Sequence, residues 1–287
     1  MKPAGLKTRI FLDSGDPAET HGALGLLGFL DGQTTNPTLI AKHPDARARL
    51  EKGEKFSAQE IMDFYKEVVR EISVLIPGGS VSIEVYADSR TTAEEMLAQG
   101  REMFSWIPNA HVKFPTTAAG LEAAEAAVRT GMRVNMTLCF SQEQAAAVYA
   151  ATRGAKKGEV FVSPFVGRLD DAGKNGMDLV ANILRMYQQG DGHVEVLAAS
   201  VRSVNHFLSA VALGSNIITA PFAALKEWGE NRMPMPDKNF SCDSAGYQLI
   251  PYRDLDCARP WQDYDIRHEL TDAGIARFSA DWNMLVT

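Results

Sequence analysis

Cysteine is scarce in this chain of 287 residues: only Cys139, Cys242 and Cys257 are present. Their spacing matches no metal-ligand pattern, and so odd and sparse a set builds no disulfide framework, so no zinc site is expected and a reducing compartment is. Long apolar runs are missing as well, since no window approaches the ~18 residues of a membrane helix. Near the N-terminus Lys2, Lys7 and Arg9 precede a short apolar run, but Asp13 interrupts it before an export segment is complete. The expectation is a soluble cytoplasmic protein with no membrane partner. Positive charge is in deficit, with 29 Lys and Arg against 36 Asp and Glu for a net charge of −7. Recognition of nucleic acid through bulk electrostatics is therefore not expected, and any anionic substrate must be met by local positive charge. The six histidines show no ligand spacing, and no internal repeat or low-complexity tract is present.

What is there is the composition of a globular chain, 45% hydrophobic and 23% charged, long enough to bury a sizeable core. Short apolar or β-branched runs recur at 9–14, 29–35, 81–86, 111–114, 133–140, 160–165, 194–200 and 217–221. Each is followed by a stretch with helical periodicity, the pattern of repeated βα units on a parallel sheet. Eight such units predict a single α/β domain over residues 1–287, a closed (β/α)8 or TIM barrel, and their extent suits a fold that typically needs ~250 residues.

Helix starts are marked by three expected capping boxes, Ser57 with Glu60, Thr92 with Glu95 and Ser141 with Gln144. After the first, Ile61, Phe64, Val68 and Ile72 form one apolar stripe, read as packing against the barrel. Residues 229–265 carry Pro234, Pro236, Pro251 and Pro260 without a sustained period, and read as an irregular insertion serving as a lid or a subunit contact. Ile275, Phe278 and Trp282 then predict a C-terminal helix within 266–287.

Alternate side chains of a barrel strand enter the lumen, so polar residues of one parity are informative. In 133–140, Asn135, Thr137 and Cys139 share one parity and Val134, Met136, Leu138 and Phe140 the other. The same rule separates Asp13, Glu84, Lys113 and Ser163 from their apolar neighbours. Buried charges are costly unless paired, so Asp13, Glu84 and Lys113 form either a salt-bridge network or an active site. A lysine between Val112 and Phe114 loses hydration, which favours the neutral amine that attacks carbonyls; as a plain ion pair with Glu84 or Asp13 it would be unreactive. After the sixth and seventh strands, Arg168, Ser200 and Arg202 make an anion clamp, or else two surface arginines paired with Asp170 or Glu195. Gly22, Gly25 and Gly28 lack the strand context of a nucleotide loop and read as packing, as do Met132, Met136, Met177 and Met186. His206, on a helix after Arg202, is not read as a metal ligand.

These residues stand in runs that resemble the transaldolase family. The runs are Phe11-Leu12-Asp13-Ser14, Gln33-Thr34-Thr35-Asn36-Pro37-Thr38, Ser82-Ile83-Glu84-Val85, Val112-Lys113-Phe114-Pro115, Val134-Asn135-Met136-Thr137-Leu138, Ser163-Pro164-Phe165-Val166-Gly167-Arg168 and Ala199-Ser200-Val201-Arg202. The resemblance implies that Lys113 forms a Schiff base with the C2 carbonyl of a ketose phosphate and that Asp13 takes the C4 hydroxyl proton. It further implies that Glu84 and Thr137 move protons through a water. Thr35, Asn36 and Asn135 would hold the three-carbon unit with Ser163 in support, while Arg168, Ser200 and Arg202 would hold the phosphate. No cofactor and no metal are implied; the partners would be small sugar phosphates, and a homo-oligomer is expected. The related fructose-6-phosphate aldolases cleave without transfer and usually carry Gln in place of Glu84, so Glu84 favours transfer. An aldolase-like activity, or transfer on another anionic ketose such as a sulfo-sugar, are the alternatives within the family. Outside it stand a cofactor-free isomerase using Glu84 as base, and a non-catalytic sugar-phosphate binder.

Overall fold

The computed structural model describes residues 2–237, 240 and 246–287. Eight parallel strands hydrogen-bond in chain order and close on themselves. They are β1 (Arg9–Asp13), β2 (Gly32–Thr34), β3 (Ser80–Glu84), β4 (Ala110–Pro115), β5 (Val134–Cys139), β6 (Val160–Pro164), β7 (Val194–Ala198) and β8 (Ile217–Ala220). Nearly every strand residue is buried, as it must be where the lumen fills one face and helices cover the other. The fold is the closed barrel that the recurring runs predict.

The helices are α1 (Pro17–Leu27), α2 (Pro37–Ala41), α3 (Pro44–Glu51), α4 (Ala58–Leu75), α5 (Ala93–Phe104), α6 (Ala118–Arg129), α7 (Gln142–Ala151), α8 (Val166–Asp171), α9 (Gly176–Tyr187), α10 (Val204–Leu213), α11 (Phe222–Glu230) and α12 (Glu269–Leu285). Both predicted capping boxes at Ser57 and Thr92 close reciprocally, each cap contributing about 1 kcal/mol. At Ser141 the box is half made. Its hydroxyl caps the Gln144 amide, but the Gln144 side chain instead accepts from the Phe140 amide and donates to Thr271 Oγ1. A buried amide with four bonding positions is better satisfied there than at an exposed helix start.

One more expectation changes. The alternation along β5 breaks at Leu138, where φ is 59° and the ladder to β6 shifts register. Cys139 therefore leaves the parity shared by Asn135 and Thr137; its thiol donates to the Ser141 carbonyl, and burial pushes its pKa to about 12. The irregular stretch after α11 has no described residue that lines the cavity at the barrel mouth. It is strapped to its own barrel: Gln248 pairs with Gly173 and Asn175, Asn182 donates to the Ile250 carbonyl, and Gln142 exchanges two hydrogen bonds with Arg253. Cys242 lies outside the described residues.

The N-terminal end of the lumen is plugged. Arg9 meets Glu195 at 2.6 Å and lies over the Phe161 ring, on whose other neighbour, His111, the ring stacks at 4.2 Å. Burial lowers the His111 pKa to about 3, so the imidazole is neutral, bonding Ser80 and the Gly158 carbonyl. At the opposite end α12 packs beside α2 and β5, with Thr271 donating to the Leu138 carbonyl. Among the described residues no helix is long and apolar enough to cross a membrane.

Candidate active site

The C-terminal ends of the strands open into a cavity of roughly 290 Å³, where barrel enzymes place their chemistry. Its wall includes Asp13, Asn36, Lys113, Thr137, Ser163, Arg168, Ser200 and Arg202, so residues scattered over 190 positions are brought to one space. The strand register explains the meeting. Glu84 on β3 pairs with Lys113 on β4, which in turn pairs with Asn135 on β5, and direct partners on parallel strands point the same way.

Lys113 is buried and its Nζ lies 2.8 Å from Glu84 Oε2 and 2.9 Å from the Thr35 carbonyl oxygen. Its apolar chain neighbours face outward from the lumen, so the amine sits among oxygens and not in the apolar setting that the sequence suggests. Loss of hydration raises the Glu84 pKa, an effect that the Lys113 charge opposes. Asp13 has the same balance: desolvation raises its pKa, while Lys113 and a 2.7 Å hydrogen bond from Thr34 work against the rise. Asp13 keeps part of its surface open to the cavity although protein surrounds the carboxylate. Two carboxyl groups that hold protons more tightly than usual, beside one amine, suit stepwise proton transfer.

Behind this group stands a residue that the sequence reading missed. Tyr65 on α4 is fully buried; its hydroxyl bonds Thr35 Oγ1 at 2.6 Å and accepts the Glu84 amide at 3.0 Å. It thereby ties together the two residues that hold Lys113. The signal was available, since a tyrosine on a buried helix face needs a partner for its hydroxyl.

Thr35, Glu84 and Asn135 stand one layer back from the cavity wall. The Thr35 hydroxyl also donates to the Ser82 carbonyl, and the Asn135 amide donates to Ser82 Oγ and accepts from Ser163 Oγ at 2.7 Å. With these bonds made inside the protein, Thr35 and Asn135 lie behind the residues that line the cavity. Asn36 caps α2 through a bond from the Leu39 amide and remains on the wall, and Thr137 Oγ1 is buried without a protein partner.

Arg168 on α8 makes no ion pair among the described residues, and its guanidinium lies between the rings of Phe165 and Phe278, 5.2 and 5.1 Å from their centroids. Stacking orients its donor fork without using its N–H groups, which leaves them for an anion. Arg202 is exposed and meets Asp171 at 2.6 Å; the pairing expected of the alternative reading goes elsewhere, Glu195 to Arg9 and Asp170 to His206. Ser200 has φ 57°, and Gly167 allows the close approach, because a Cβ there would lie 2.3 Å from the Ser200 carbonyl oxygen. No cluster able to hold a metal is present among the described residues. Lys42 and Arg277 also border the cavity, and nothing in their local sequence marked them.

Fold and site together define a (β/α)8 barrel with a lysine and two carboxylates at the lumen mouth and cations beside them. A family model described as Transaldolase/Fructose-6-phosphate aldolase matches residues 10–287. The chain is 38% identical over 274 residues to a probable transaldolase of Dehalococcoides mccartyi, covering 96% of this chain and 97% of that one. It is 35% identical over 274 residues to a probable transaldolase of Brucella ovis, covering 96% of each. A 3-hexulose-6-phosphate synthase structure from Salmonella typhimurium superposes with a TM-score of 0.48 at 11% identity, over 79% of this chain and 100% of that one. The chain belongs to the transaldolase/fructose-6-phosphate aldolase family.

Proposed function

We propose that this protein is a transaldolase that moves a dihydroxyacetone unit from a ketose phosphate to an aldose phosphate through a Schiff base on Lys113. The observation that carries the proposal is the buried amine at the cavity floor, 2.8 Å from Glu84 and in electrostatic contact with Asp13. For attack on the C2 carbonyl the ammonium must give up a proton, and Glu84, whose burial strengthens its hold on a proton, is placed to accept it. The amine then adds to C2, and the resulting carbinolamine loses water, with Glu84 returning the proton and the free Thr137 hydroxyl holding the water that relays it. Asp13 takes the C4 hydroxyl proton as the C3–C4 bond breaks; the bonding electrons pass into the iminium, leaving an enamine on Lys113 and releasing an aldose. The enamine attacks an acceptor aldehyde by the reverse path, and hydrolysis frees the new ketose.

Asn36 and Ser163 border the three-carbon unit in this reading, while Thr35, Asn135 and Tyr65 position the reacting groups. Arg168, Ser200 and Arg202 hold the phosphate. The test is intact mass after incubation with fructose 6-phosphate and borohydride. The expected result is a reduced three-carbon adduct on the parent protein and none on Lys113→Met; no adduct on either would overturn the Schiff-base reading for this substrate.

A further inference from the structure

The cavity holds more positive charge than one anion clamp requires. Arg168 and Arg202 already form a clamp, yet Lys42, just beyond α2, and Arg277, on α12, border the same space. Their two elements are tied to each other by a hydrogen bond from Thr38 on α2 to Asp281 on α12. The pair is therefore delivered as a unit to one side of the mouth.

Asp13 acts through space on Lys42 and Arg168, Glu84 acts on Arg168, and Arg202 meets Asp171 at 2.6 Å, but neither Lys42 nor Arg277 has a close ion pair among the described residues. Arg277 Nε lies 3.9 Å from Asp281 Oδ2, at the limit of an ion pair, and that oxygen already accepts the Thr38 hydroxyl. Lys42 has no carboxylate within ion-pair distance among the described residues, and neither has Arg168. Arg277 is also close enough to Arg168 for the two charges to repel. Packing brings them nearer still: α12 has Gly274 where any Cβ would lie 2.7 Å from Arg168 Nη1. On a chain with net charge −7, the repulsion of Arg168 by Arg277 and Arg202 at one cavity is relieved by a bound anion, and more so by a dianion than by a monoanion.

We infer that Lys42 and Arg277 are specificity-determining residues that select a doubly charged phosphate end group over a singly charged sulfonate or a neutral hydroxymethyl. A phosphate ester carries about −1.5 to −2 at neutral pH, whereas a sulfonate carries a single charge and needs only the Arg168 and Arg202 clamp. The inference rests on the sugar-phosphate reading of the site and names the end group it takes.

The test uses glucitol 6-phosphate, which has no carbonyl and cannot react with Lys113, beside the 6-sulfonate of 6-deoxyglucitol and plain glucitol. Calorimetric titration of the parent protein should show the phosphate bound about tenfold or more tighter than the sulfonate. Arg277→Gln and Lys42→Gln should each weaken phosphate binding about tenfold and sulfonate binding less, so that the preference narrows. Asp281→Asn removes the carboxylate charge while keeping a partner for Thr38, and should not lower phosphate affinity. Parent-like affinity in both Gln variants, or equal binding of the two anions by the parent, would overturn the inference. So would a loss in Asp281→Asn as large as that in Arg277→Gln, because the effect would then belong to helix packing. Tight phosphate binding without a borohydride adduct would strike the lysine mechanism alone.

Discussion

Glu84 and Lys113 are direct partners across the β3–β4 ladder, and their side chains meet at 2.8 Å in a buried position. A pair so placed is costly for the fold, because both charges are stripped of water, and useful for chemistry, because one proton separates the ion pair from its neutral form.

Replacing Glu84 with Gln keeps the side-chain volume but removes the proton acceptor. Turnover should fall by about two orders of magnitude or more, as for loss of a general acid–base group, with a smaller change in KM. Steady-state kinetics with a sugar-phosphate donor and acceptor would show it, and full turnover would remove Glu84 from the proton path.

Asp13→Asn should stabilise the fold as pH rises. Desolvation raises the Asp13 pKa, so between the ordinary carboxylate range and that raised value the native state binds more protons than the unfolded state. Parent stability therefore falls with increasing pH across that window, and Asn escapes the loss. Thermal unfolding from pH 4 to 8 should show the variant's advantage growing from near zero at the acid end while activity is lost; an advantage independent of pH would contradict the assignment.

Tyr65→Phe deletes one hydroxyl, strands the buried Glu84 amide and leaves Thr35 Oγ1 with its bond to the Ser82 carbonyl alone. A stability loss of about 1–3 kcal/mol is expected by denaturant unfolding. A drop in kcat at nearly constant KM should accompany it, since the ring touches no part of the cavity; a stability loss with parent kcat would leave Tyr65 purely structural.

Gly120 lies at the start of α6, and a Cβ there would fall 1.9 Å from the Pro115 carbonyl oxygen at the end of the strand that carries Lys113. Backbone cannot yield as a flexible side chain does. Gly120→Ala should cost about 2–3 kcal/mol of stability, read from the unfolding midpoint.

The repeating alternation of apolar runs and helical stretches determined the barrel from the sequence alone, because strand and helix periods are local properties of a chain packed on one core. Parity along single strands likewise showed that Asp13, Glu84, Lys113 and Thr137 belong to the lumen. It failed at Cys139, where Leu138 takes a left-handed backbone conformation that no period of two contains. Tertiary structure alone decided the rest. Register across a closed barrel is a property of the whole ring, so only folding set Glu84 beside Lys113 and drew Asn135 and Thr35 behind the wall. The placing of α12 at the mouth, which brings Phe278 onto Arg168 and Arg277 to the cavity, depends on contacts between residues more than a hundred positions apart. Local periodicity carries no information about such contacts, because they are set by which surfaces remain uncovered once the barrel has closed.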